Sequence, residues 1–142
     1  MARDTRLIAV LGYMAELGSI SDEEHERLGD LAARLRVDRL IAVGEQARLI
    51  AVAGVREGVE PENVAAYDDV AGALADVRAH AREGDVVLCK GSRVAGLETL
   101  AEWTPERDAR GEPTIISCSA LRKAYRDVLR RGGEGTFFVH VT

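Results

Sequence analysis

Apolar residues in this chain come in short solid runs, separated by longer amphipathic stretches. Leu7-Ile8-Ala9-Val10-Leu11, closed by Gly12, is the first run, and Arg39-Leu40-Ile41-Ala42-Val43-Gly44 repeats it. Asn63-Val64-Ala65-Ala66-Tyr67 is a weaker third and Asp85-Val86-Val87-Leu88-Cys89 a fourth. Thr114-Ile115-Ile116-Ser117-Cys118 and Thr136-Phe137-Phe138-Val139-His140-Val141 complete the series. A strand covered on both faces needs continuous apolar sequence, not alternation, so these runs predict buried parallel strands.

The stretches between them carry helical spacing. Ser21-Asp22-Glu23-Glu24 has the form of a capping box, with Ser21 on the first turn and Glu24 reaching back. His25, Leu28, Leu31, Ala32 and Leu35 then share one stripe, which places His25 at the helix edge as a structural residue and not a ligand. A second helix runs from Glu45 to about Glu57 and stops at Gly58. Asp68 is the expected N-cap of a third, which bears Val70, Leu74, Val77 and Ala81 and ends at Gly84. Ala95 to about Arg107 is a fourth, which Pro105 ends or restarts, and Ala120 to Arg131 is a fifth, stopped by Gly132-Gly133.

Alternation of this kind predicts an α/β fold. The expectation is a three-layer α/β/α Rossmann-like sheet of six mainly parallel strands in the order 3-2-1-4-5-6, built as a single domain over residues 1–142. In that order strand five adds beside strand four, and strand six closes the edge.

Composition narrows the partners. Aromatics are only 4%, so the core must be mostly Ala, Val, Leu and Ile. A net charge of −5 argues against nucleic acid, and the basic run Leu121-Arg122-Lys123-Ala124-Tyr125-Arg126 reads as a solvated helix face. No apolar run approaches the length of a membrane span, and Met1 to Thr5 has no signal core. Cys89 and Cys118 sit within apolar runs, as reduced thiols of a cytoplasmic protein do.

Candidate chemistry concentrates in Lys90-Gly91-Ser92-Arg93. A polar loop at a strand's carboxyl end, before a helix, suits an anion or carboxylate. Gly12 and Tyr13 would face it across the same crevice if strands one and four are neighbours, with Tyr13 stacking on the crevice or blocking it. The ligand-binding set is therefore Gly12, Tyr13, Lys90, Gly91, Ser92 and Arg93; the plainer reading is a loop of solvated charges. Ser117-Cys118-Ser119 lacks a nucleophile elbow, and His25, His80 and His140 are scattered. The pattern Gly-x-x-x-x-Gly-Lys-Ser/Thr occurs nowhere, so nothing cradles a nucleotide's phosphates. No catalytic residue, metal or cofactor is expected.

Two resemblances enter here. Leu7-Ile8-Ala9-Val10-Leu11-Gly12-Tyr13-Met14-Ala15-Glu16-Leu17-Gly18, Asp38 to Gly44, and Gly84 to Glu98 resemble the C-terminal domain of Mur ligases, most closely those adding D-alanyl-D-alanine to a UDP-muramoyl tripeptide. Tyr13 departs from that family's usual acidic residue. The resemblance implies that this domain closes on a central ATPase domain and helps bind the incoming amino acid or dipeptide, with Lys90 to Arg93 facing it. The family's Asn-Pro-containing opening strand and helix are not found. From about Leu100 to Thr142, Leu100-Ala101-Glu102-Trp103, Pro113 to Asp127 and Phe138 to Val141 resemble an internal piece of a gluconokinase-type P-loop sugar kinase.

The two resemblances meet within one helix, near Leu97 to Trp103. The expectation drawn from that junction is an artificial chimera, segment 1–100 joined to segment 101–142, without catalytic function of its own. The alternative is a binding module for a small anion, nucleotide or dipeptide that retains a Mur-ligase-like C-terminal site. A third reading is a ligase or kinase active only with a P-loop-bearing partner. Neither nucleic acid nor membrane is expected as a partner; weak anion or ATP binding and a strand-swapped homodimer remain open.

Overall fold

The computed structural model describes residues 5–91, 106, 109 and 114–117. Five strands are present among them: β1 Leu7–Gly12, β2 Arg39–Val43, β3 Val64–Tyr67, β4 Val86–Lys90 and β5 Thr114–Ser117. Three α-helices connect the first four: α1 Ser21–Arg34, α2 Arg48–Arg56 and α3 Val70–His80. The strands form one sheet in the order β3-β2-β1-β4-β5, and every neighbouring pair is parallel. This is the expected order as far as it can be followed. The predicted sixth strand and the predicted helices over 95–107 and 120–131 lie outside the described residues, apart from single positions.

The continuous apolar runs are explained by burial on both faces. Ile8, Val10, Ile41, Val43, Val87 and Cys89 turn to one face and pack with Ala73 and Val77 of α3. Ala9, Leu11, Leu40 and Ala42 turn to the other, against Ala32 of α1 and Ala47, Ile50 and Ala51 at and within α2. The result is three layers. The chain winds from β1 through β2 to β3 and then returns across the sheet to β4. Right-handed crossovers require the return helix, α3, to lie opposite α1 and α2, and it does. Glu106, in the connection between β4 and β5, pairs with Arg78 of α3 at 2.7 Å.

Three expectations about the helices need correction. Leu31 and Leu35 are 47% and 54% exposed, so they are not on the buried stripe. That stripe is centred on His25, Gly29 and Ala32 because α1 and α2 approach closely at Gly29. A Cβ there would stand 2.4 Å from the Ile50 carbonyl oxygen and 2.7 Å from the Ala53 Cβ. The capping box does not form. A 3-10 turn, Gly18–Ile20, leads straight into α1, so the N-cap position falls on Ile20 with no side-chain cap. Finally, Asp69 and not Asp68 caps α3, accepting the Gly72 N–H at 2.9 Å, while Asp68 pairs with Arg48 of α2.

A buried polar cluster joins the sheet to α3. Arg39 of β2 forks onto Asp76, Nε to Oδ1 at 2.6 Å and Nη2 to Oδ2 at 2.7 Å, and the Tyr67 hydroxyl donates to the same carboxylate. The Asp76 side chain is only 1% exposed. Burial pushes its carboxyl up, but hydrogen bonds from Arg39 and Tyr67, with the charges of Arg39 and His80, outweigh that and hold it below the ordinary 3.8. The same bond to Asp76, aided by burial, raises the Tyr67 hydroxyl.

Asp76→Asn should therefore cost about 3 kcal/mol in urea melts at neutral pH, since it leaves a guanidinium buried without its counter-charge. A carboxyl lowered by folding adds stability that is complete above its unfolded value of 3.8 and disappears as pH falls below it. The acid limb of the stability curve should accordingly be shallower in the variant. An equally steep limb would show that other carboxylates govern acid unfolding.

Candidate ligand site at the strand switch point

Winding reverses between β1 and β4, which opens a crevice beyond their carboxyl ends. The register sets Leu11 of β1 against Lys90 of β4, so Gly12 and Gly91 follow side by side. Lys90 is exposed, while its neighbour Cys89 points into the α3-side core. Four of the six expected ligand residues, Gly12, Tyr13, Lys90 and Gly91, thus gather at one edge of the sheet. Ser92 and Arg93 lie outside the described residues.

Tyr13 turns the other way. Its N–H donates to the Val43 carbonyl at 3.2 Å, and its ring lies on Gly44, with Cδ1 2.7 Å from where a Cβ would stand. Gly44 has φ +103 and donates its N–H to the Tyr67 carbonyl at 2.8 Å. Tyr13 therefore flanks the crevice on the β2 side and ties the ends of β1, β2 and β3 together.

His25 belongs to this edge, contrary to its expected place at a helix margin. It is fully buried, and its Nε2 accepts the Met14 N–H at 2.9 Å. Because Met14 can only donate, the ring proton resides on Nδ1, which lies 2.6 Å from the Ser21 carbonyl oxygen. The only sequence signal was a polar residue on an otherwise apolar stripe. The loop between Met14 and α1 bends through Glu16 and Gly18, both with positive φ.

A second cleft, of about 190 Å³, opens at the opposite, amino-terminal edge among Arg6, Asp38, Arg39, Asn63, His80 and Arg82. Two of its cations are engaged, Arg6 with Asp85 and Arg39 with Asp76, and Arg6 also donates to the His80 carbonyl at the end of α3. That chemistry suits closure of the fold better than ligand capture. Among the described residues no cluster of His, Cys, Asp and Glu could hold a metal, and no helix is long and apolar enough to cross a membrane. Cys89 is a buried thiol outside any disulfide, and its register partner in β5 is Ile116; Cys118 lies outside the described residues.

A family model described as "Mur ligase, glutamate ligase domain" matches residues 1–93. The chain belongs to the Mur ligase family. The UDP-N-acetylmuramoyl-tripeptide--D-alanyl-D-alanine ligase of Mycobacterium leprae is 50% identical over 99 residues, 66% of this chain and 19% of that protein. The Mycobacterium tuberculosis (H37Rv) ligase of the same name is 43% identical over 116 residues, 72% of this chain and 23% of that protein. Among solved structures, MurF from Acinetobacter baumannii superposes with a TM-score of 0.57 at 28% identity, covering 75% of this chain and 22% of that one. The chain thus spans about a fifth of the length of the ligases it matches.

These matches overturn the artificial chimera. A Probable gluconokinase of Mus musculus is 38% identical over 61 residues, but that is 39% of this chain and 33% of that protein. The Mur ligase match is unbroken to residue 93, and an alignment holding 72% of the chain must run further, into the segment assigned to a second parent. The kinase-like and ligase-like shares together exceed the whole chain, so they overlap and leave no clean seam. β5, also in that segment, continues the parallel sheet in register. The chain is a natural, MurF-like C-terminal Mur ligase domain, and its relatives are enzymes.

Gly44→Ala tests the Tyr13 anchor. It should destabilise the fold by roughly 2–4 kcal/mol, through a disfavoured positive φ and a clash with the ring. Adding Tyr13→Ala should recover only the steric part, as a double-mutant cycle of thermal melts would show. Full recovery would mean that the backbone conformation costs nothing.

Proposed function

We propose that this chain captures the D-alanyl-D-alanine acceptor for a ligase that joins it to a UDP-muramoyl tripeptide. The dipeptide carboxylate is taken up beyond the carboxyl ends of β1 and β4 by Lys90 and the amide of Gly91, with Gly12 allowing close approach of the backbone and Tyr13 on the flank. Ser92 and Arg93, next in sequence, complete the proposed set. Support comes from the relatives' own names and from one observation above all: the domain's winding reverses where the exposed Lys90 stands beside Gly12. A carboxylate needs a cation and hydrogen-bond donors in a concave place, and a switch point suits both. The chain holds no phosphate-cradling Gly-x-x-x-x-Gly-Lys-Ser/Thr loop, so its part in the reaction is to hold the acceptor, while nucleotide activation belongs to other parts of such a ligase.

Titrating D-alanyl-D-alanine into isotope-labelled protein should shift the amide resonances of Gly12, Tyr13 and Gly91. Lys90→Ala should weaken binding about tenfold, the usual worth of one charge-assisted hydrogen bond. L-alanyl-L-alanine serves as the stereochemical control and ATP as the nucleotide control. Shifts confined to the Arg6–Arg82 cleft would overturn this assignment.

A further inference from the structure

We infer that His25 is a positioning residue for this crevice, fixing the loop after β1 through the Met14 amide; the inference rests on the dipeptide reading above. Hydrogen bonding between β1 and β2 carries on one residue past the strand, where the Tyr13 N–H still reaches Val43. The next amide, Met14, leaves the sheet and is held from the α1 side by the imidazole. Two successive N–H groups are thus anchored in different directions, one towards β2 and one towards α1. That divergence defines where the loop departs from the crevice.

Burial of the imidazole is otherwise unfavourable and requires both nitrogens to be paired. One partner is the first turn of its own helix, the other the loop. This accounts for the capping sequence that does not cap. The Ser21 hydroxyl lies 3.4 Å from Nδ1 and its carbonyl closer still, so the start of α1 is given over to orienting His25. The loop also contains Glu16 in the left-handed region, at φ 63. A non-glycine residue keeps that conformation only where its surroundings hold it. The Met14 bond lies two residues away and supplies such a hold.

Two substitutions separate the ring's two contacts. In His25→Gln the amide oxygen lies where Nε2 stands and can still accept from Met14. In His25→Asn the shorter amide retains the contact to Ser21 and cannot reach the loop. Each protein is titrated with D-alanyl-D-alanine by NMR, and exchange of the Met14 amide with solvent deuterium is followed. The Gln variant should bind within about twofold of the unaltered chain, with Met14 still protected. The Asn variant should bind about tenfold more weakly, because losing one buried hydrogen bond depopulates the held loop by that order. Its Met14 amide should exchange faster while amides of β2 remain protected.

Equal affinity in the Asn variant and the unaltered chain would overturn the positioning role and leave the binding reading intact. Absence of any dipeptide binding by the unaltered chain would overturn both. Should the Asn variant fail to fold, the Gln variant decides: folded protein with lost affinity would overturn the inference, and retained affinity supports it.

Discussion

The sheet is parallel throughout, so both of its faces must be covered, and this constraint shapes most of the molecule. Two helices, α1 and α2, cover one face over β1, β2 and β3. Among the described residues the return helix, α3, covers the other, and the core beneath it reaches from β2 across β1 to β4. A helix meeting so wide a surface has to be located along the sheet as well as against it. The fork of Arg39 onto Asp76, with Tyr67 on the same carboxylate, provides that location. Apolar packing is non-directional, whereas a bidentate pair has one geometry.

The same winding creates the crevice. Because α3 carries the chain back past β2 and β1, β4 lies on the far side of β1 from β2, and the winding reverses between the carboxyl ends of β1 and β4. Lys90 at this edge is exposed, whereas the guanidinium of Arg39, at the other end of its strand, is engaged with Asp76. The paired Arg39 and the exposed Lys90 therefore stand at opposite edges of the sheet. The Gly44–Tyr13 contact and the His25–Met14 bond hold the backbone at the carboxyl end of β1 from two sides.

Much of this was legible in the residues. Solid apolar runs marked each strand, positive-φ glycines at Gly44, Gly58 and Gly84 fell where the runs and helices stop, and Lys90 was found as a polar residue at a strand's end. Less legible were the features that depend on a neighbour distant in sequence. Leu31 and Leu35 look like core by spacing, yet the close approach of α2 at Gly29 rotates them outward. Ser21 looks like a cap, but a preceding 3-10 turn occupies the cap position. The supposed seam near Leu100 reflected two overlapping likenesses, and the sheet carries on past it through β5.

Over the described residues the sequence by itself determined the element types, their order and the parallel arrangement, and along the chain the Mur ligase resemblance, because these follow from local periodicity, from right-handed crossovers and from contiguous motifs. Only the tertiary structure decided which polar side chains are buried and with whom. Arg39 and Asp76 stand 37 positions apart, and nothing local distinguishes them from the many other charged residues of the chain. His25 and Met14 are separated by a loop whose path depends on where α1 docks. Pairings of this kind arise when layers assemble, since each partner's desolvation is compensated only once the other has arrived.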